Sequence, residues 1–303
     1  MLEKILSNKE RTFNIYGNNI NVDSIMVYDN GLFESHFYKP DSLHEMRSLS
    51  KVLVALAIGI AIDRNILSLD TYVYPIFKDL VKIKKENIRK IQKWQIKHLL
   101  TYSCGYEKQM FSERFIKDIN PKEYLSYVLN YDLVYEAGER YVYNNAESFL
   151  LSVVFQELTG INMGKFIEDE IFQPLNIKNY IWENYDKYCP GGTGLYISGK
   201  NLFEIGKLLL NKGIFCGRQI VSSKFIENMC KSQIETPYAI KPERVLPKYG
   251  VGYIMHISRD GYCFKDGANG QYLIINFAKN QLITILSSEE DMGNVTELLR
   301  GII

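Results

Sequence analysis

Charge of one sign is not in excess: 36 Lys plus Arg stand against 35 Asp plus Glu, a net charge of +1. That balance removes the main argument for a nucleic-acid or anionic-membrane partner. Cysteine is sparse and unpatterned. Cys104, Cys189, Cys216, Cys230 and Cys263 are odd in number and widely scattered, with no C-x-x-C. A disulfide framework or zinc cluster is therefore not expected, and reduced buried thiols in a cytosolic protein are. The four histidines, His36, His44, His98 and His256, are isolated, so nothing in their spacing supports a metal site or a His-based triad. His98, within IKHLL, reads as structural. H-E-x-x-H, the P-loop and G-x-S-x-G are all missing. The apolar run Val52–Ile62 falls short of the about 20 residues a bilayer span needs. MLEKILSNKERTFN has no long apolar core of an export signal, and a cytoplasmic location is expected.

What is present is an ordinary globular balance, 46% hydrophobic and 23% charged over 303 residues, with 22 Tyr and 15 Phe. That is ample for a sizeable core and too aromatic for disorder. Near the start, DSIMVYDNGLFESHFY reads as two strands around Asp29-Asn30-Gly31, because Asn-Gly supplies the positive φ angles of a tight hairpin. From about Ser48 to Arg64 the chain is almost continuously apolar, as in a helix buried on most sides. The middle has helical period. QIKHLLTYS would stop at Gly105, PKEYLSYVLNY starts at Pro121, NAESFLLSVVFQELTG is capped by Asn145 and ended by Gly160, and MGKFIEDEIFQPL is ended by Pro174. GGTGLYISG reads as a strand entering a turn, and KNLFEIGKLLLNKG and SSKFIENMCKS as helices. GVGYIMHI, GYCFKDG, QYLIINFA and NQLITILSS are short β-type runs, and EDMGNVTELLRGI is helical.

Strand signals thus sit at both ends with helices between. The fold class expected is α/β of the α+β type: one antiparallel sheet built from both termini, flanked by helices, with a mainly helical insert. A single catalytic domain over 1–303 is expected, with an α/β part (about 1–60 plus 190–303) and a helical part (61–189).

Three short motifs carry chemistry. Ser48-Leu49-Ser50-Lys51 is the one S-x-x-K in the chain and sits where the apolar helix begins. Three residues apart on a helix, the two side chains share a face. The helix N-terminus adds positive potential at the serine, and an apolar surround lowers the lysine pKa, so a neutral amine can act as base on the hydroxyl. On this stretch alone an equal reading is that Ser48 caps the helix and Lys51 snorkels to the surface. Tyr143-Asn144-Asn145 forms a Y-x-N in a loop before a helix, able to relay protons and orient a carbonyl. Alone it reads more readily as packing. Lys265-Asp266-Gly267 lies between two β-runs, where a glycine lets a substrate backbone approach the strand edge and the next amide, of Ala268, can join that of Ser48 as an oxyanion hole. Alone it reads as a charged hairpin turn.

Taken in order, S-x-x-K, Y-x-N and K-x-G resemble the penicillin-recognising serine hydrolases, and more narrowly the class C β-lactamase-related family, which also holds D,D-peptidases, esterases and amidases. WQIKHLLTYSCG, AGERYVYNNAESFLLS, GGTGLYISGKNLFEIGKLLLNKG and GANGQYLIIN are similar to further stretches of that family, so the likeness runs from about residue 20 to the end. The resemblance implies an acyl-enzyme on Ser48, with Lys51 as its base and Tyr143 as the second proton-transfer residue. Asn145, Lys265, Gly267 and Ala268 would bind a small-molecule or short-peptide substrate, and no metal or cofactor is implied. Three positions depart from the family pattern. Asp266 puts a negative charge near the usual anchor for a substrate carboxylate, which argues against penicillin-type acids. Ala137 replaces a common proline, and Asn144 replaces a common serine. The rival readings are a true β-lactamase or D,D-carboxypeptidase, and a sensor that is acylated without turnover. Pocket residues are expected from YSCGYEKQM and ETPYAIKPERVLPKYG, with Tyr106 and Tyr249 as walls.

Overall fold

In this computed structural model the described residues are 1–13, 16–237 and 245–303. An eight-stranded sheet runs in the order Leu32–Phe37, Val22–Asp29, Gln281–Ser287, Gln271–Asn276, Cys263–Gly267, His256–Ile257, Gly250–Val251, Ile234–Glu235, with every neighbouring pair antiparallel. The second and third strands in that order come from opposite ends of the chain, pairing Ile25 with Ile285. The hairpin expected at Asn30-Gly31 is present: Asp29 pairs with Leu32, and both turn residues have positive φ.

Alternation along the strands gives the sheet two apolar faces. Ile25, Val27, Ile274, Ile283 and Ile285 pack with Leu2 and Ile5 of the helix Leu2–Arg11 and with Val295 and Leu298 near the C-terminus. Met26, Leu273, Ile275, Leu282 and Leu286 face the main core, which contains the helices Ser50–Asp63, Ala146–Thr159 and Gly199–Leu210. Residues Ser50 to Ala61 of the first of these are all buried, as its continuous apolar character required. The helical stretches Ile96–Leu100, Tyr124–Asn130 and Met163–Ile167 fill the middle of the chain. Among the described residues no helix is long and apolar enough to cross a membrane.

Three local expectations are corrected. The helix after Gln95 ends at Leu100, short of Gly105. Asn145 makes no side-chain cap on the helix Ala146–Thr159; the amide of Ala146 donates instead to Asn144 Oδ1 at 3.3 Å. Cys230 and Cys263 form a disulfide, with Cα atoms 5.3 Å apart and a separation of 33 positions in sequence. The end of the helix Ser223–Met229 packs beside the strand Cys263–Gly267, a tertiary proximity that cysteine spacing does not encode. Cys104 and Cys189 are buried free thiols and Cys216 is exposed.

Candidate active site

The site begins with a turn. The strand His44–Glu45 pairs with Leu195–Ile197, and the amide of Met46 donates to the carbonyl of Leu195 at 2.8 Å. Arg47 then takes φ 48°, a left-handed conformation that costs a non-glycine residue about 1–3 kcal/mol. Its guanidinium is tied to Glu45 at 3.0 Å. This bend throws Ser48 into a 3₁₀ turn, Arg47–Leu49, which runs straight into the helix Ser50–Asp63. Ser48 is partly exposed at the mouth of that helix and Lys51 is fully buried one turn on.

Lys51 Nζ lies 3.0 Å from Ser48 Oγ and 2.7 Å from the carbonyl oxygen of Gly192. The second contact follows from the strand pairing of His44–Glu45, which brings the segment after Pro190 against the nucleophile turn. A Cβ on Gly192 would stand 3.2 Å from Lys51 Nζ and 3.3 Å from its Cε, so the amine can be seated there because the side chain is absent. Burial first, and then the charge of Lys265, push the Lys51 amine well below the ordinary lysine range, against the opposing pull of Asp266 and Glu147.

Tyr143 comes from the loop before Ala146–Thr159. The amide of Val142 donates to the carbonyl of Tyr102 at 2.8 Å, and Asn144 bonds the backbone of Lys108 and Phe111, each at 3.3 Å. Held on both sides, Tyr143 sets its hydroxyl 2.6 Å from Ser48 Oγ. Burial pushes its phenol up, beyond the opposing effect of that hydrogen bond. Asn145 lies alongside, its Cβ 3.4 Å from where a Gly192 side chain would start, and its Oδ1 is buried with no hydrogen-bond partner among the described residues.

The strand Cys263–Gly267 supplies the third wall. Gly267 approaches the nucleophile turn so closely that a Cβ there would sit 2.8 Å from the carbonyl of Met46 and 3.1 Å from Leu49 Cδ1. Ala268, the next residue, is exposed beside that contact. Lys265 is fully buried, with Nζ 4.7 Å from the centre of the Tyr143 ring, 3.5 Å from the Tyr102 hydroxyl and 3.4 Å from His256 Nε2. Burial lowers its pKa to about 7. Asp266 pairs with Lys248 at 2.7 Å and with His256 Nε2 at 3.3 Å. Burial raises the Asp266 carboxyl, but Lys248, His256 and Lys265 together outweigh it and hold the group well below the usual carboxylate range. His256 itself is neutral: burial and the two lysines bring it down to about 3.

The structure thus brings Ser48, Lys51, Tyr143, Asn145, Lys265 and Gly267 to one place. Three participants escaped sequence reading. Gly192 was read as part of a strand entering a turn, His256 as an isolated histidine, and Glu147 as part of an ordinary helix. Tyr106 is not a pocket wall. It is fully buried, its hydroxyl donating to the carbonyl of Val128 at 3.1 Å and its ring against Trp94. Tyr249 is partly buried under the Arg259 guanidinium, 3.9 Å from its ring centre. Of the stretch expected to line the pocket, residues 238–244 lie outside the described residues. Among the described residues no cluster of His, Cys, Asp and Glu has the geometry to hold a metal ion.

The family model described as Beta-lactamase matches residues 23–208, more than half of the chain. An uncharacterised protein of Alkalihalophilus pseudofirmus is 24% identical over 251 residues, covering 76% of this chain and 66% of that one, so the chain spans just under two thirds of that relative. Among solved structures, the octameric penicillin-binding protein homologue of Pyrococcus abyssi is similar with a TM-score of 0.75 at 19% identity, over 99% of this chain and 75% of that one. EstCE1, described as a hydrolase with promiscuous acyltransferase activity, is similar with a TM-score of 0.78 at 14% identity, over 98% of this chain and 97% of that one. At such identities these structures share the fold with this chain.

Proposed function

Because the chain belongs to the beta-lactamase family, we propose that it is a serine hydrolase that cleaves an ester or amide bond through an acyl-enzyme on Ser48, with Lys51 as base and Tyr143 as the second proton-transfer group. One observation carries this reading: Ser48 Oγ stands between Lys51 Nζ at 3.0 Å and the Tyr143 hydroxyl at 2.6 Å. The carbonyl of Gly192 can only accept, so Lys51 Nζ donates to it over 2.7 Å. The depressed amine keeps a lone pair for the Ser48 hydroxyl at 3.0 Å. Tyr143, whose phenol holds its proton, donates to Ser48 Oγ over 2.6 Å. With its neighbours so placed, the Ser48 hydroxyl can pass its proton to the unprotonated Lys51 amine.

In the reaction Ser48 Oγ bonds to the substrate carbonyl carbon and passes its proton to Lys51. The carbonyl oxygen gathers negative charge before the amides of Ser48 and Ala268, and the positive end of the helix Ser50–Asp63 favours that charge. As the bond to the leaving group breaks, Tyr143 gives it a proton and is resupplied from Lys51. Water then adds to the acyl carbon, yielding its proton to the same pair. The bond to Oγ breaks, and the Ser48 hydroxyl is restored. Asn145, with an unsatisfied amide oxygen, meets the polar part of a small-molecule or short-peptide substrate, and Gly267 lets its backbone lie against the strand.

A second reading is favoured by the Lys248–Asp266 pair. The 2.7 Å ion pair balances the charge that would repel an acidic substrate, so cleavage of a β-lactam or D,D-peptide is the alternative. Hydrolysis of a p-nitrophenyl acyl ester by the wild type, lost in Ser48→Ala, tests the hydrolase; turnover retained in that variant rejects it. A chromogenic cephalosporin in the same assay decides between the two readings. Labelling of Ser48 by a fluorophosphonate without any turnover would mark a sensor instead.

A further inference from the structure

Gln271 takes no part in the mechanism above, yet its side chain lies where three segments of the site meet. It opens the strand Gln271–Asn276 and stands across from Gly267 in the antiparallel ladder, so the residues between them form the turn that carries the Ala268 amide. Gln271 is buried. Its Nε2 donates over 3.0 Å to the carbonyl of Ser287, at the end of the strand Gln281–Ser287. The same nitrogen is 2.9 Å from Nε2 of His44, on the short strand His44–Glu45 that leads into the nucleophile turn. Its Oε1 is buried with no hydrogen-bond partner among the described residues, and a Cβ on Gly267 would stand 2.9 Å from it. That Cβ would also be 2.8 Å from the carbonyl oxygen of Met46. The Gln271 amide therefore holds the space beside Gly267, at the seam between the third wall and the nucleophile turn.

The partners fix the direction of each hydrogen bond. The Ser287 carbonyl can only accept, so the amide nitrogen faces it and the amide oxygen is left toward Gly267. His44 Nε2 must then accept the second hydrogen of the same nitrogen. That puts the single ring proton on His44 Nδ1, which stands 3.3 Å from Asp23 Oδ2. The ring is neutral: burial, helped by Lys39, keeps its pKa below the ordinary histidine value against the pull of Asp23, the Ser287 carbonyl and Glu45. A chain Asp23–His44–Gln271–Ser287 thus joins four strands beside the site. A buried acceptor left unpaired is costly, and an apolar side chain of similar size would fill this space without one. What the amide adds is a fixed position, because its two hydrogens are taken by groups on two different strands.

Resting on the serine hydrolase reading above, we propose that Gln271 is a positioning residue for the oxyanion hole: anchored to His44 and to the Ser287 carbonyl, it sets the Gly267–Ala268 backbone against the nucleophile turn, so that the amides of Ala268 and Ser48 face one carbonyl oxygen. His44, two residues before Met46, is the link on the nucleophile side. Donors fixed in advance need no rearrangement when negative charge develops on that oxygen. A turn released from its anchor weakens the transition state more than the bound substrate, so the loss falls on kcat and not on KM.

The test has two arms. In the first, kcat and KM are measured for an alkyl ester and for its thionoester, in which sulfur replaces the carbonyl oxygen. Wild type, Gln271→Leu and His44→Leu are compared. Wild type favours the oxygen ester, because amide donors set for a developing oxyanion fit the larger sulfur poorly. Gln271→Leu is expected to lower kcat on the oxygen ester about 10- to 100-fold, with KM within about twofold, and to narrow the preference for oxygen over sulfur at least about fivefold. His44→Leu shifts both quantities the same way by less. A lower thermal midpoint with kcat and the preference unchanged overturns the proposal and leaves Gln271 a packing group. Equal losses on the two substrates overturn it too. The second arm needs neither activity nor a folded Gln271 variant. Nitrogen-15 NMR of the histidine rings at neutral pH reads the wild-type His44, assigned by its absence from His44→Leu. Expected is a neutral ring with its proton on Nδ1 and a bare Nε2. A proton on Nε2, or a charged ring, breaks the chain through Gln271 and overturns the proposal. The expected ring in a wild type without any ester turnover upholds the anchored turn and sinks the hydrolase reading alone.

Discussion

Lys51 Nζ and the carbonyl oxygen of Gly192 are 2.7 Å apart across 141 residues of sequence, and that contact fixes where the amine points. A methyl group at 192 would stand 3.2 Å from Nζ and 3.3 Å from Cε. Gly192→Ala is therefore expected to displace the amine from Ser48, lowering kcat of ester hydrolysis by about 10- to 100-fold for a misplacement of this kind. The overpacking cost to stability is about 1–3 kcal/mol. Steady-state kinetics beside a thermal melt checks it, and unchanged kcat would show the Gly192 contact to be incidental.

The depressed pKa of Lys51 gives the pH dependence a sign. The base is active unprotonated, so kcat/KM rises with pH through the depressed value and levels off well below the ordinary lysine value of 10.5. Lys51→Met loses about 10²- to 10⁴-fold in rate, the usual worth of a positioned base. A wild-type rate that keeps climbing to about pH 10 would mean an ordinary, solvated lysine.

Tyr143 keeps its proton, since burial raises its phenol, so its part is to donate. Tyr143→Phe should lower kcat by about 10²- to 10⁴-fold on alkyl esters or amides. The loss should shrink on p-nitrophenyl esters, whose leaving group needs no proton. Comparing the two substrate types in one variant measures this, and equal losses on both would assign Tyr143 to activation of Ser48 instead.

Lys265 links the site to stability. Its amine titrates at about 7 in the fold against 10.5 when free. Between those values the unfolded chain binds the proton and the native one does not, so this group makes stability rise with pH across that window; below it both states are protonated and the cost is complete. Lys265→Met removes the term. Its gain in stability over wild type should be greatest below pH ~7, on the order of a few kcal/mol, and should shrink as the pH approaches ~10. Urea melts of both proteins across that range give the comparison, and a pH-independent difference would mean that Lys265 is solvated.

Much of the architecture was legible because its signals are local. The Asn30-Gly31 hairpin, the unbroken apolar helix after Ser48 and the late β-runs from Cys263 to Ser287 each carry their own pattern. The motif set was legible as an ordered resemblance, and Ser48, Lys51 and Tyr143 do meet. What stayed hidden depends on contacts between distant segments. The helix Leu2–Arg11 buries only Leu2 and Ile5, too few apolar residues to mark a core helix without the sheet beneath it. Glu147 lies in an apolar helix whose pattern does not mark it out, yet it is fully buried in the core. Tyr106 belongs to the core for the same reason, its partners Trp94 and Val128 being set by packing. The charge at Asp266 was legible, but Lys248, which balances it, comes from another strand region.

The most direct measurement is intact-protein mass spectrometry after brief reaction with a fluorophosphonate at neutral pH, with the adduct mapped by peptide sequencing. A serine activated by an unprotonated Lys51 takes up a single adduct on Ser48 in the wild type, and Lys51→Met, folded by circular dichroism, reacts about 100-fold more slowly or worse. An adduct elsewhere, or equal labelling rates in the two proteins, would contradict the account.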